Sequence, residues 1–285
     1  MITPQIQCKK LANELGLDNP LYLKREDLHP AGSHKGRSIP LMINKYYTDG
    51  IRDFVISSSG NAALAAARTI RENNDINLTI FIGDKINPEK LKLIKNEEGE
   101  NIIIKRVPNP KQEAILAEKN SDKIKNLRQS TDDTALEGYA ALAAELAEIK
   151  NLSAIFIPTS SGTTAEGMYR GFQKLNINPQ IHIVQTPDCH PFVESKEINT
   201  EPSLASAIVD KVGHRKKNIL KIIDATKGAG WIVTNEKIVE AINEVKQTEN
   251  ISISPNSALS VAGLKKAIQD GWKFDGVFVC LITGR

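Results

Sequence analysis

Three segments gather residue types that can do chemistry: Leu23-Lys24-Arg25-Glu26-Asp27-Leu28, Gly32-Ser33-His34-Lys35-Gly36-Arg37 and Ser57-Ser58-Ser59-Gly60-Asn61. Lys35, a single lysine among small residues, suits imine formation with an aldehyde. An ammonium cannot attack a carbonyl, so such a lysine needs desolvation or a neighbouring positive potential, which a helix N-terminus supplies. Gly32, Ser33 and Gly36 allow a tight turn and point N–H groups at an anion, so one loop can hold a cofactor aldehyde and its phosphate. The loop also has the outline of a Walker A motif. That motif needs four residues between its glycines and a lysine after the second, whereas here three intervene and Arg37 follows. Taken alone, Lys35 is equally readable as a solvated loop lysine; what separates the readings lies further along the chain.

Phe54-Val55-Ile56 reads as a buried strand and Ala62–Ala67 as a helix, with Ser57–Asn61 between them. A strand, a hydroxyl-rich turn and a helix N-terminus make a carboxylate site, although Ser59 or Asn61 could instead be a plain helix cap. A second such turn follows the strand Ile155–Pro158, where Thr159-Ser160-Ser161-Gly162-Thr163-Thr164 leads into a helix from Ala165 through Phe172. Hydroxyls and a glycine can surround a dianionic phosphate, and the helix dipole adds to their hold; a capped turn is again the alternative. The last strand, Val277–Ile282, delivers Thr283 at its carboxyl end, where ligands gather in open α/β sheets.

These pieces, in this order, resemble the pyridoxal-phosphate enzymes of the tryptophan synthase β-subunit class (fold type II) from Thr3-Pro4 to Arg285, and within it the threonine synthase-like enzymes. Ser58-Ser59-Gly60-Asn61-Ala62-Ala63 is similar to their Ser-Ser-Gly-Asn-Ala-Ala segment, and Gly32–Arg37 to their Gly-Ser-Phe-Lys-Asp-Arg. His34 stands where that pattern has Phe, as in tryptophan synthase β-subunits, and Gly36 where it has Asp. The resemblance implies pyridoxal 5'-phosphate as cofactor, Lys35 as the residue carrying it with His34 beside it, and Asn61 as donor to its phenolic oxygen. It implies Ser58, Ser59, Gly60 and Asn61 as receivers of the substrate carboxylate, and Ser160, Ser161, Gly162, Thr163 and Thr164 as the phosphate loop. Thr283 would face the pyridine nitrogen. A carboxylate there would protonate the ring and make a strong electron sink; a neutral hydroxyl need not, which favours expulsion of a leaving group over transamination. Family members usually continue well beyond this threonine, whereas this sequence stops two residues later.

The strand candidates that carry these residues and their neighbours are Leu21–Lys24, Phe54–Ile56, Leu78–Ile82, Ile102–Lys105, Ile155–Pro158, His182–Gln185 and Gly276–Ile282. Helices are expected at Ala62–Glu72, Pro88–Asn96, Pro110–Asn120, Thr134–Ile149, Thr164–Leu175, Asn235–Gln247 and Ser257–Gln269. The alternation predicts an α/β protein with parallel sheets and helices on both faces. The stripe in 134–149 reads as core, with Glu137, Glu145 and Glu148 solvated. Pro40 would sit in the second turn of a helix running on from Lys35, so either that helix kinks or Ser38 caps a new one. By resemblance, two three-layer domains with open, twisted, mostly parallel sheets hold the cofactor in the cleft between them, residues 1–35 with 150–285 forming the larger and 36–149 the smaller, inserted one.

At 285 residues, 40% apolar and with net charge +3, the chain has enough for sizeable cores and no polyanion-binding balance. The basic run Lys211, His214, Arg215, Lys216, Lys217 and Lys221 reads as a solvated face; no nucleic-acid partner is expected. Cys8, Cys189 and Cys280 lack metal-ligand spacing, and Cys189-His190 without a second pair makes no zinc site, so no metal is expected. The start lacks a signal-peptide core and no apolar run has membrane length, which predicts no membrane association and a cytoplasmic protein. Two motifs carry double readings. Lys24–Asp27 is both a frequent lead-in to the lysine loop in this class and an exposed strand end with local charge pairs. Gly228-Ala229-Gly230-Trp231 is by resemblance close to the substrate pocket, and otherwise a glycine turn before a strand.

The resulting expectation is a pyridoxal-phosphate lyase of amino-acid metabolism, a homodimer acting on a small amino-acid substrate by elimination or replacement at its β or γ carbon, threonine synthase-like. A serine/threonine dehydratase or a cysteine synthase-like enzyme is the alternative within the class. A non-catalytic pyridoxal-phosphate-binding or sensing protein is the alternative outside it.

Overall fold

The computed structural model describes residues 2–71, 73–84, 86 and 88–285, Lys90 by its backbone only. In chain order the first half contains β1 (Gln5–Gln7), α1 (Lys9–Glu14), β2 (Leu21–Arg25), α2 (Lys35–Thr48), β3 (Asp53–Ser57), α3 (Asn61–Ile70), β4 (Asn77–Ile82), α4 (Pro88–Lys95), β5 (Ile102–Arg106), α5 (Pro110–Lys119) and β6 (Ile124–Asn126). The second contains α6 (Thr134–Ala147), β7 (Leu152–Pro158), α7 (Thr163–Lys174), β8 (Gln180–Gln185), α8 (Lys216–Thr226), β9 (Gly230–Ile232), α9 (Asn235–Glu249), α10 (Pro255–Gln269) and β10 (Val277–Ile282). The expected end of a helix at Glu72 lies outside the described residues. Two compact units result, one of Met1–His29 with Tyr139–Arg285 and one of Pro30–Gly138.

The first unit is built on a six-stranded sheet in the order β1-β2-β10-β7-β8-β9, parallel except for the antiparallel pair β1–β2. Its strands are apolar on both faces, as a sheet covered twice requires. Alternate residues enter different cores: Ala154, Phe156, Phe278, Cys280 and Ile282 join residues of α1, α9 and α10, whereas Ile155, Ile157, Val279 and Leu281 join residues of α6, α7 and α8. The second unit repeats the scheme with a parallel sheet β5-β4-β3-β6. Phe54, Ile56, Ile80 and Ile82 pack with α2 and α3, while Val55 and Phe81 pack with Ala114 of α5. Both units are therefore three-layer α/β structures with mostly parallel sheets.

Three readings of charged residues are corrected by burial. Lys24 and Glu26 are fully buried rather than exposed: the Lys24 ammonium donates to the Thr3 carbonyl at 2.8 Å and to Glu145, and Thr3 Oγ1 donates to Glu26 Oε1 at 2.5 Å. Glu145, expected in solvent, is only 11% exposed as the partner of Lys24. Arg215 is buried against Glu166 rather than solvated. Local pairing does hold for Arg25 and Asp27, whose ion pair spans 2.7 Å. Pro40 lies inside a continuous α2, so Ser38 does not cap a new helix. The Gly228 and Gly230 positions have a packing cause: a Cβ at Gly228 would lie 2.0 Å from the Ile181 carbonyl oxygen, and one at Gly230 would lie 2.3 Å from Val193 Cγ2. No helix among the described residues is long and apolar enough to cross a membrane.

Candidate active site

In the second unit, Lys35 is the first residue of α2 and is half-buried, preceded by buried Ser33 and His34. The helix opens on local bonds: Lys35 N–H donates to Ser33 Oγ at 3.3 Å, Gly36 N–H to the Ser33 carbonyl and Arg37 N–H to the His34 carbonyl, each at 3.1 Å. These donors are thus engaged within the loop, and the turns that follow other strands are better placed to receive an anion. Arg68 braces the loop from α3, donating to the Ala31 carbonyl at 3.1 Å while Glu97 holds its Nε at 2.9 Å.

The turn from β3 into α3 is half-buried throughout Ser57–Ala62. Ser58 Oγ accepts from Gly60 N–H at 3.3 Å, and Gly60 is the N-cap with no side-chain cap on the helix. The plain-cap reading of Ser59 or Asn61 therefore does not describe this turn. The N–H groups of Asn61, Ala62 and Ala63 belong to the first helical turn, where an α-helix provides no partner of its own. A Cβ built on Gly60 meets nothing within 4 Å, so the space beside its backbone is open to a ligand.

In the first unit, the turn from β7 into α7 is more tightly determined. Gly162, again an N-cap without a side-chain cap, has φ +83°, and a Cβ there would stand 2.7 Å from Ile219 Cγ1. Both the left-handed backbone and the contact demand glycine. Ser160 Oγ accepts from the N–H groups of Val209 and Asp210 at 3.0 and 3.2 Å, using its lone pairs and leaving its proton to be donated. Ser161 Oγ lies 2.9 Å from Thr163 Oγ1, and Thr163 and Thr164 are buried at the head of α7. A carboxylate so near an anion site would repel it. Glu166, buried in that first turn, is answered by Arg215 at 2.9 Å, Arg170 at 2.6 Å and Asn218 at 3.0 Å, so cationic charge prevails locally.

Thr283 follows β10, buried, and because β10 pairs in parallel with β7 the threonine and the Ser160–Thr164 turn share the carboxyl end of one sheet. Thr186, just after the neighbouring strand β8, carries a buried hydroxyl with no hydrogen-bond partner among the described residues. Such an orphan costs about 1–3 kcal/mol unless a ligand or water meets it. Burial pushes the thiols of Cys8 and Cys189 up to about 12 and 11 and that of Cys280 higher still, so Lys35 is left as the candidate nucleophile among them. Sequence reasoning missed Thr186, the Glu166–Arg215 pair and Ser257, whose hydroxyl lies 3.5 Å from that of Thr283. Only Ser257 had a local signal: Ser254-Pro255 marks a helix start, two residues before the expected one.

In the second unit a lysine at a helix head and a glycine beside open space, and in the first a hydroxyl-lined turn with an open donor and an orphaned hydroxyl at the sheet's carboxyl end, are each chemically suited to part of pyridoxal phosphate. A family model described as pyridoxal-phosphate dependent enzyme matches residues 2–284, and the chain belongs to that family. Among curated relatives, the threonine synthase of Methanocaldococcus jannaschii is 26% identical, over 99% of this chain and 74% of that protein. That of Halalkalibacterium halodurans is 25% identical, over 99% and 81%. Among solved structures, an L-serine ammonia-lyase from Rhizomucor miehei superposes with TM-score 0.83 at 18% identity over 100% of this chain and 93% of that one. A pyridoxal 5'-phosphate-dependent aspartate racemase does so with TM-score 0.82 at 19% identity over 100% and 90%. These two share the fold.

Proposed function

We propose that this protein is a pyridoxal-phosphate-dependent lyase that eliminates or replaces a substituent at the β or γ carbon of a small amino acid, with threonine synthase-like chemistry. The observation that carries this reading is Thr283: a buried neutral hydroxyl, not a carboxylate, stands at the carboxyl end of β10. The similarity to threonine synthases along 99% of the chain supports the preferred reaction.

When bound, pyridoxal phosphate supplies an electron sink adjoining the substrate's α-carbon. Lys35 Nζ would hold the cofactor and would serve as the base that takes the α-proton and returns it elsewhere. Asn61 would donate to the cofactor's phenolic oxygen. The N–H groups and hydroxyls of Ser58, Ser59, Gly60 and Asn61 would hold the substrate carboxylate. Ser160, Ser161, Gly162, Thr163 and Thr164 would hold the phosphate, with the Ser160 proton and the N–H groups at the head of α7 as donors. The Thr283 hydroxyl would serve the ring nitrogen without supplying a negative charge, which would favour loss of a leaving group over transamination.

Two measurements test this. Borohydride reduction of the cofactor-saturated protein followed by peptide mapping is expected to leave a pyridoxyl group on Lys35; an unmodified Lys35 overturns the site. A panel of O-phospho-L-homoserine, L-serine, L-threonine and O-acetyl-L-serine is expected to give turnover with the first. Turnover of serine or threonine alone makes the protein a dehydratase, of O-acetylserine a cysteine synthase-like enzyme, and spectral silence across the panel makes it a binding or sensing protein.

A further inference from the structure

The carboxyl end of β10 is held by an unusual pair of serines. Ser254 caps α10, its Oγ accepting from Ser257 N–H at 3.4 Å, and donates to the Gly284 carbonyl at 2.7 Å. Ser257, one helical turn on and fully buried, donates to the same carbonyl at 2.9 Å and accepts from Gly284 N–H at 3.2 Å. Both backbone groups of the residue after Thr283 are thereby bound to side chains of α10. Capping alone needs Ser254 only. A buried hydroxyl in a helix's first turn costs desolvation unless it is bonded, and the Ser257 hydroxyl is met by both backbone groups of Gly284, by Ser254 Oγ at 3.1 Å and by Thr283 Oγ1 at 3.5 Å.

Proton counting gives the contact a direction. The single hydroxyl proton of Ser257 goes to the Gly284 carbonyl, the shorter contact, and one lone pair takes Gly284 N–H. The other lone pair is shared between Ser254 Oγ at 3.1 Å and the more distant Thr283 Oγ1 at 3.5 Å. Ser257 thus acts on Thr283 chiefly by fixing the Gly284 backbone beside it.

We propose that Ser257 is a positioning residue that sets the direction of the Thr283 hydroxyl toward the ring nitrogen of pyridoxal phosphate. This rests on the reading of Thr283 given above. Ser257 touches neither cofactor nor substrate in this role; it acts through Thr283 and Gly284.

The test uses holoenzyme loaded with pyridoxal phosphate labelled with ¹⁵N in the ring, and reads the ring-nitrogen resonance in Thr283→Val, Ser257→Ala, Ser257→Cys and Ser260→Ala. Ser260 is the control, because its hydroxyl is equally buried but donates back to the Ser257 carbonyl within the helix at 2.8 Å. Thr283→Val is expected to displace the resonance, Ser257→Ala to move it in the same direction by about half as much, and Ser260→Ala to leave it in place. Ser257→Cys keeps the side-chain volume and is read instead should the alanine variant fail to fold. Displacement by Thr283→Val but not by a folded Ser257 variant overturns the inference and leaves the reading of Thr283 standing. No displacement by Thr283→Val overturns that reading and the inference with it. Equal displacement by Ser257→Ala and Ser260→Ala makes the effect one of helix packing and overturns the positioning role.

Discussion

Arg215 Nη1 stands 2.9 Å from Glu166 Oε2, and the two side chains are only 6% and 3% exposed. The pair joins the first turn of α7, which opens on Gly162, to the residue that caps α8. The Ser160–Thr164 turn and the helix that supplies Ile219 against it are therefore fastened by a charge pair out of solvent.

Arg215→Met keeps most of the side-chain volume and removes the charge. Glu166 then stays buried with the half-exposed Arg170 and with Asn218 beside it. Loss of one member of a buried pair costs about 3 kcal/mol, and urea unfolding should show it. If the Ser160–Thr164 turn holds the phosphate as proposed, affinity for pyridoxal phosphate should fall as well, since one of the two cations that answer Glu166 is lost. A loss of stability below about 1 kcal/mol would mean that the pair behaves like a surface ion pair.

Gly162→Ala should weaken cofactor binding and stability through two separable causes. A left-handed backbone costs a non-glycine residue about 1–2 kcal/mol, and the new methyl would press on Ile219 Cγ1 and Cδ1, 2.7 and 2.9 Å from the Cβ position. Ile219→Ala removes both atoms. The double variant is therefore expected to be less destabilised than the two single changes add up to, with the backbone part of the cost persisting; strict additivity in thermal unfolding would show that the contact yields without strain.

Much of this architecture was legible in the chain, and the exceptions have physical causes. The apolar runs of β2, β3, β4, β7, β8 and β10 announce themselves because strands largely covered on both faces need no polar alternation, and β5 is visible through its three consecutive isoleucines although it is a half-exposed edge strand. β1, β6 and β9 have three residues each, too few to carry a period, and exist through their neighbours. α8 was hidden by its lysines: Lys216, Lys217 and Lys221 face solvent, but Ile219 and Ile222 supply the buried stripe. Lys24 with Glu145 and Arg215 with Glu166 are pairs between distant segments, and no local pattern distinguishes a buried charge from a solvated one before its partner is placed. The candidate site residues could be proposed from the chain for the opposite reason, since most of them lie in contiguous turns after strands and Lys35 lies in a short glycine-flanked run.

His182 predicts a pH dependence of stability. It is fully buried, stacked on Phe156 with ring centroids 4.5 Å apart, and its Nδ1 accepts from Trp231 Nε1–H at 3.0 Å. Indole only donates, so the imidazole is neutral with its proton on Nε2, which reaches Gln180 Oε1 at 3.0 Å. Burial lowers the His182 pKa from 6.5 to about 3. Between those values the unfolded chain binds a proton that the folded one refuses. Stability from this residue is therefore complete above pH 6.5 and declines as pH falls toward 3, by on the order of 4 kcal/mol across the window. His182→Gln keeps an acceptor in the same region and cannot titrate. Its urea midpoint should fall less steeply than wild type between pH 6.5 and 4; parallel curves would assign the acid loss to other groups.

Pro40 makes the last prediction, because it sits where a helix does worst with proline. It is the sixth residue of α2 and has no N–H to return to the carbonyl of Gly36, which its ring also crowds. Pro40→Ala restores the donor and removes the crowding, so stability should rise, by about 1–3 kcal/mol on the scale of helix-interior prolines. The first turn of α2 is secured upstream: Ser33 and His34 receive the N–H groups of Lys35, Gly36 and Arg37. The position of Lys35 therefore does not depend on Pro40, and pyridoxyl labelling of Lys35 after borohydride reduction should match wild type. A fall in the unfolding midpoint would show that the proline's shape is needed in the packing of α2 on α3. Lost labelling with stability gained would show that the proline, rather than Ser33, sets the lysine's direction.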